Sequence, residues 1–255
     1  MLLDAIVIVL RETLEAGVLV SVLASLGTRL HLSLRWLGTA LLAGSAGALI
    51  SAFNLGIVSG WFAGVGQEVV DALLQYAIFL LLLWLMLLMQ RPQPEPLLRG
   101  CMIAIVALAV TREGSEILLF FSSYLQSEEA LIGAATSGFV GFMIGLSVGI
   151  LCYLTLAVTL QPSTAARVQR IVLPLVAAGM TLQATQLLVQ ADWLPAGPPL
   201  WNSGHLLSER SISGQMAYAV FGYEATPTAI EIGFYIGALC LLLLAQYCQR
   251  AHLQR

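Results

Sequence analysis

The chain has no lysine. All eleven of its basic residues are arginine, and charged residues of both signs fill only 10% of its 255 positions. A water-soluble domain carries about 25% charge, so that class is excluded. No basic stripe of the kind that follows a phosphate backbone exists either, and no nucleic-acid partner is expected. Histidine is nearly absent: His31, His205 and His252 fall in stretches read as loops or the tail. A metal held by imidazole, a nucleophile–base pair and a haem with histidine axial ligands all need a histidine inside a helix. An intramembrane protease, a lipid-phosphate hydrolase and a haem electron carrier are therefore not expected, nor is any enzyme. The four cysteines, Cys101, Cys152, Cys240 and Cys248, are scattered without C-x-x-C spacing. They read as small apolar residues rather than a disulfide framework or thiolate site.

What fills the space is apolar. Hydrophobic residues make up 59% of the chain and the mean hydropathy is +0.90, the signature of a polytopic membrane protein. A spanning helix needs about 20 mostly apolar residues. Seven runs qualify, at roughly residues 2–26, 36–58, 71–89, 101–124, 131–160, 171–189 and 228–247. Little is left for a soluble domain, so residues 1–255 read as one all-α transmembrane domain. The first run is not read as a cleavable signal peptide, because Asp4, Arg11, Glu12 and Glu15 interrupt it where an uncharged core belongs.

Arginines mark the sides. Arg29 and Arg35, Arg91 and Arg99, Arg167 and Arg170, and Arg250 and Arg255 follow the odd-numbered runs, whereas only Arg210 lies opposite. The positive-inside bias then places the N-terminus outside and the C-terminus in the cytoplasm, as an odd number of spans requires. Most acids lie on the other side: Glu68, Asp71, Glu128, Glu129, Asp192, Glu209 and Glu224 sit in or near outer loops, with Asp4 at the outer N-terminus. A negative mouth raises the local concentration of cations, although simple solvation of loops accounts for the same acids.

Two of the apolar runs carry the same charged cluster, Arg11-Glu12-Thr13-Leu14-Glu15 and Arg112-Glu113-Gly114-Ser115-Glu116. One ionised side chain near a bilayer centre costs at least about 2.5–3.5 kcal/mol, so clusters of three are not packing residues. An offset of 101 residues superposes the two motifs, and it also places Ala40, Gly44 and Ala48 on Gly141, Gly145 and Gly149. Small residues four apart allow close helix approach. The chain thus reads as a 3+3 inverted repeat plus one helix: repeat one at about 1–90, repeat two at about 100–189, an outer loop at 190–227 and helix seven at 228–247. Such repeats place a transport site near the midplane.

Residues three or four apart share a helix face, so Glu12 pairs with Glu15 and Glu113 with Glu116. Antiparallel pairing of helices one and four would gather all four carboxylates in one seam, flanked by Arg11 and Arg112 as counter-ions. Carboxylates suit a hard cation. A plain salt bridge within each motif is a weaker reading, because one arginine cannot satisfy two acids and buried pairs stabilise poorly. A proton pathway through the same glutamates is the stronger rival. Other polar residues are candidates for a secondary or access role: Asp71, which shares a face with Gln75, the pair Gln183 and Gln186, and Glu128 and Glu129. Hydrogen bonding between helices is the plainer expectation for the glutamines. Glu231 follows Thr228 by three residues behind Pro227 and reads as a capping box. Residues 193–201 read as an irregular interfacial loop.

Over nearly its whole length the chain resembles the R-E-x-x-E iron permeases of fungal plasma membranes and bacterial inner membranes. Arg11-Glu12-Thr13-Leu14-Glu15-Ala16 is similar to that family's helix-one motif and Arg112-Glu113-Gly114-Ser115-Glu116 to its helix-four motif. Phe221-Gly222-Tyr223-Glu224-Ala225-Thr226-Pro227-Thr228 resembles the segment leading into its last helix. The resemblance implies a seven-helix permease importing iron as its transported substrate, with no permanent cofactor and with Glu12, Glu15, Glu113 and Glu116 binding the ion in transit. It also implies a bacterial inner-membrane location among lipid, and an extracytoplasmic partner that oxidises or delivers iron. Manganese, zinc or lead is the alternative cargo. Thr13 stands where the family usually has glycine, and the outer loop lacks the acid-x-x-acid pair of fungal members.

Overall fold

Long apolar runs bounded by turn residues can satisfy their backbone in lipid only as helices or closed barrels, and here they are helices. The computed structural model describes residues 2–89, 93–125, 127–208 and 211–253. Arg91, Glu209, Arg210 and Arg255, used above to assign sides, lie outside them. The helices are α1 (Leu2–Arg29), α2 (Arg35–Ser59), α3 (Gly66–Leu88), α4 (Glu95–Ser122), α5 (Glu128–Leu154), α6 (Pro162–Gln190), α7 (Ile212–Phe221) and α8 (Ala229–Leu253). A short 3-10 turn (Trp61–Gly64) precedes α3, and a π turn (Thr155–Thr159) ends α5. No strand occurs among the described residues, only one isolated bridge between Pro199 and Thr228.

Five described helices are long and apolar enough to cross a membrane: 35–59, 66–88, 128–159, 162–190 and 229–247. Helices α1 and α4, 28 residues each, match them in length but carry the charged motifs. Two details differ from the sequence reading. The stretch read as an outer loop contains the ten-residue helix α7, and His252 falls on the last turn of α8 rather than in a tail. Ser211 caps α7 by accepting the Gly214 N–H at 3.0 Å, and Gly222 ends it in the left-handed region at φ 65°. Glycine adopts that conformation without strain.

The chain divides into two compact units, each drawn from both halves of the sequence. One comprises Met1–Leu55 with Val106–Gln169, the other Gly56–Ile105 with Arg170–Arg255.

In the first unit, the small-residue stripes are the packing faces. The buried residues of α2 include Ala40, Gly44 and Ala48, and those of α5 include Gly141, Gly145 and Gly149. Gly141 lies against Ile6, Gly145 against Thr13, and Gly149 against Gly17, so α5 runs parallel to α1. The 101-residue image repeats this: Gly44 lies against Val110 and Ala107, and Gly114 against Ala48, so α2 runs parallel to α4. A Cβ on Gly44 would stand 2.6 Å from the Val110 Cβ; only glycine permits that approach. Ser21 Oγ donates to the Gly149 carbonyl at 2.6 Å, and Thr111 Oγ1 to the Gly44 carbonyl at 3.2 Å. Each repeat's second helix therefore packs on the other repeat's first. The outward faces are large and apolar, with Phe53 87% exposed and Leu42 75% exposed. Small residues inside and large apolar residues outside is a pattern for lipid, not water.

In the second unit, α3 packs on α8, with the Tyr76 and Phe234 rings 6.4 Å apart. Helices α3 and α6 are joined by polar pairs: Gln75 Nε2 donates to Gln183 Oε1 at 2.6 Å, and the Tyr76 and Thr185 hydroxyls meet at 3.0 Å. The expected capping box opens α8, where the Thr228 N–H donates to Glu231 Oε2 at 2.7 Å and the Glu231 N–H to Thr228 Oγ1 at 3.4 Å.

Candidate metal centre

Both charged motifs lie in the first unit. On α1, Glu12 and Glu15 occupy one face, as their spacing requires, and both are buried. On α4, Arg112 and Glu113 are buried as well. One carboxylate oxygen from each of Glu12, Glu15 and Glu113 comes within 4.8 Å of the other two. A hard cation with metal–oxygen distances of about 2.0–2.6 Å spans opposite ligands roughly 4–5 Å apart. The three carboxylate oxygens thus lie within the span of one such ion's ligands.

The arginines are not equivalent. Arg112 stands among the carboxylates: its Nη1 lies 3.2 Å from Glu15 Oε2 and 2.7 Å from Glu113 Oε2, and its Nη2 lies 2.6 Å from Glu116 Oε1. Its side chain is 3% exposed. Arg11 lies at the margin, its side chain 38% exposed, with Nε 3.0 Å from Glu15 Oε1 and 3.9 Å from Glu12 Oε1. Glu15 is therefore bracketed by both cations. Glu116, its side chain 25% exposed, reaches the cluster through Arg112 and is outside the three-carboxylate group. The seam drawn from the sequence, four equal carboxylates flanked by two arginines, is skewed here toward three carboxylates around one arginine.

Two buried atoms in this cluster lack a hydrogen-bond partner, Glu12 Oε2 and Arg112 Nε. Leaving a buried charged group partly unsatisfied costs more than the roughly 1–3 kcal/mol of a neutral one. With every group ionised, the four glutamates and two arginines leave a formal charge of −2, which a divalent cation neutralises.

The remaining candidates are placed elsewhere. Glu128 and Glu129 are exposed in the first turn of α5, where acids suit the helix dipole. Asp71, Gln183 and Gln186 belong to the second unit. Asp71 is buried, Gln183 holds Gln75, and Gln186 Nε2 donates to Glu224 Oε2 at 2.6 Å. That last contact has no local sequence signal, because Glu224 comes from the segment before α8. Cys101 is buried with Sγ 3.6 Å from the Leu81 carbonyl, as a packing residue would be.

A family model described as the iron permease FTR1 family matches residues 2–251. The chain is 25% identical to a ferrous iron permease EfeU of Escherichia coli O6:H1, over 93% of this chain and 92% of that protein. It is 26% identical to the ferrous iron permease EfeU of Yersinia pestis, with 93% and 92% covered. The same name and identity hold for a relative from Yersinia pseudotuberculosis, covering 93% of this chain and 90% of that protein. No solved structure matches.

Proposed function

The chain belongs to the iron permease FTR1 family, and from that membership we propose that it imports ferrous iron through the Glu12–Glu15–Glu113 cluster. The observation that carries this reading is the set of three buried carboxylates with oxygens within 4.8 Å of one another, one oxygen of Glu12 being unpartnered. Buried acids in excess of their arginines suit a cation in transit. The ferrous form follows the printed function of the relatives. In this reading Arg112 is the resident counter-ion of the unloaded site, and it yields when the ion enters. Glu116 follows Arg112 and takes part at the margin.

The same reading has seven spans, α1 to α6 and α8, with the N-terminus outside and the C-terminus in the cytoplasm of a bacterial inner membrane. The parallel pairs α1/α5 and α2/α4 support the alternation of spans from α1 to α5, because helices separated by an odd number of intervening spans must run the same way. The acids of the outer side would concentrate cations there, and an extracytoplasmic protein that oxidises or delivers iron would act at that face.

Uptake by the purified protein in liposomes tests the function. Ferrous iron is expected to enter saturably, ahead of ferric, manganese and zinc ions. Faster entry of manganese or zinc, with iron excluded, would sink the proposal. Topology is tested separately with single cysteines and an impermeant thiol reagent applied to right-side-out vesicles. A cysteine at Glu128 should label, and cysteines at Glu95 and in the tail should not. Labelling of the tail from outside would overturn both the sidedness and the inverted repeat.

A further inference from the structure

The carboxylate cluster is open along one edge and closed along the other. With α1 running inward and α4 outward, Arg11 and Glu116 stand at the outer edge, and Glu15 and Arg112 at the inner edge. The ion pair between Arg112 and Glu15 is the one that antiparallel helices give. At the outer edge the Arg11 and Glu116 side chains are 38% and 25% exposed, whereas Glu15 and Arg112 are closed at 4% and 3%. Arg11 and Arg112 are images of one another under the 101-residue offset, as are Glu15 and Glu116. Equivalent residues of the two repeats thus differ by the side they face.

The helix faces that carry the carboxylates continue this contrast, since residues three or four apart stay on one face. Inward of Glu15 on α1 come Leu19 and Leu23, and inward of Glu113 on α4 come Ala109 and Val106; all four are fully buried. Leu19 lies one turn, about 6 Å, inward of Glu15. Outward, Glu116 is followed by Phe120 and Tyr124, both half-buried, and Glu12 by half-buried Ile8 and exposed Asp4. Ala5 and Val9 are buried on that side, Val9 against Gly138 of α5. The inner end of α1 is also tied across the first unit. Gln169, near the start of α6, is buried; its Oε1 accepts from Arg29 Nη1 and its Nε2 donates to the buried Ser25 Oγ. Ser25 lies about 15 Å inward of Glu15 along α1. At the outer end of α4, by contrast, Ser122 and Ser123 donate back to their own helix, to the Leu119 and Phe120 carbonyls.

We propose that Leu19 and Leu23, held shut by the Ser25–Gln169–Arg29 bridge, form the closed inner gate of the carboxylate site, and that their repeat images Phe120 and Tyr124 form its outer gate, open here. This rests on the reading of the chain as an iron importer with its N-terminus outside. A buried apolar constriction excludes water and ions, and inverted repeats exchange which side is open around a fixed site. In the inward-open state Glu15 and Arg112 gain the exposure that Glu116 and Arg11 have here. The bridge sets the resting preference for the outer side, so that the ion arrives before the inner leucines part.

Thiol labelling from each side of the membrane tests the gates. An impermeant methanethiosulfonate reacts with the thiolate, so a cysteine is modified only where water reaches it. Leu19→Cys and Phe120→Cys are made singly in full-length protein whose four native cysteines are serine and which still takes up iron. Without metal, Phe120→Cys should label from outside in right-side-out vesicles. Leu19→Cys should label slowly from inside, in inverted vesicles, and not from outside. Adding Gln169→Leu breaks the bridge. Labelling of Leu19→Cys from inside should then rise about tenfold, the scale of one hydrogen bond to a charged group, while labelling of Phe120→Cys from outside falls. Arg29→Ala, which breaks the same bridge from its exposed end, should shift both rates the same way. Opposite movement separates a gate from a merely structural role, in which loosening raises both rates. Both rates rising, neither changing, or Phe120→Cys protected from outside in the metal-free protein would overturn the gates. These readouts need no iron. If they hold and Glu15→Gln takes up ferrous iron like the parent, the gates stand and it is the importer reading that fails.

Discussion

Glutamine in place of Glu15 should abolish iron uptake and leave a folded protein in the membrane. Glu15 contributes an oxygen to the three-carboxylate group and also accepts from both Arg11 and Arg112. Removing its charge takes away a ligand, lowers the formal site charge from −2 to −1, and leaves two arginines competing with the incoming ion. Truncating one partner of a buried charged contact costs about 2–5 kcal/mol of binding, equivalent to about a thirtyfold or greater loss of transport at limiting iron. Glu12→Gln and Glu113→Gln should behave alike, since each supplies one of the clustered oxygens. Glu116→Gln should be milder, because that side chain is partly exposed and touches the cluster only through Arg112. The measurement is initial uptake into liposomes, normalised to folded protein by size-exclusion chromatography. Wild-type rates in any two of the Glu12, Glu15 and Glu113 variants would disprove a shared site.

Removing the guanidinium of Arg112 is expected to be the most damaging single change to the metal-free protein. Arg112→Ala leaves Glu113 and Glu116 without their cation and Glu15 with Arg11 alone. The penalty for an uncompensated buried charge is about 3–5 kcal/mol, seen as a lower thermal midpoint in detergent. Arg11→Ala, which breaks a half-exposed pair, should cost at most about 1 kcal/mol. The two motifs are identical in their charged residues, so this inequality comes only from geometry. Divalent manganese or iron should restore much of the lost stability in Arg112→Ala and raise the parent's midpoint less, because the ion takes the place that the guanidinium held. Arg112→Lys keeps the charge but loses the planar fork that engages several carboxylates together; its transport should fall more than its stability. Equal midpoints for Arg11→Ala and Arg112→Ala, with no added effect of metal, would sink the counter-ion role.

Much of the site is readable without coordinates, for physical reasons that are local. Helical periodicity alone puts Glu12 beside Glu15 and Glu113 beside Glu116. The 101-residue offset alone pairs Ala40, Gly44 and Ala48 with Gly141, Gly145 and Gly149, and close packing needs those small residues wherever the helices cross. The Thr228–Glu231 capping box is legible for the same reason, since its atoms are three residues apart. The bond from Gln186 to Glu224 is not legible, because it joins positions 38 residues apart through a glycine-on-glycine contact without a periodic signal. Nor is α7, a ten-residue helix in a stretch whose prolines, glycines and tryptophans read as irregular loop.

What the sequence determined by itself is the composition of the machine: apolar helices that only lipid can cover, carboxylates too costly to be ornamental there, and two copies of the motif that carries them. What the tertiary structure decided is which copy does what. Helical repeat places each arginine one turn from its glutamate in both motifs, so on sequence grounds Arg11 and Arg112 are interchangeable. Packing separates them: Arg112 is enclosed at 3% exposure, whereas Arg11 emerges at 38%. Burial depends on the neighbours a face meets, and a duplicated sequence does not dictate identical neighbours. The asymmetry that makes one arginine a central counter-ion and the other a marginal one is therefore a property of the fold.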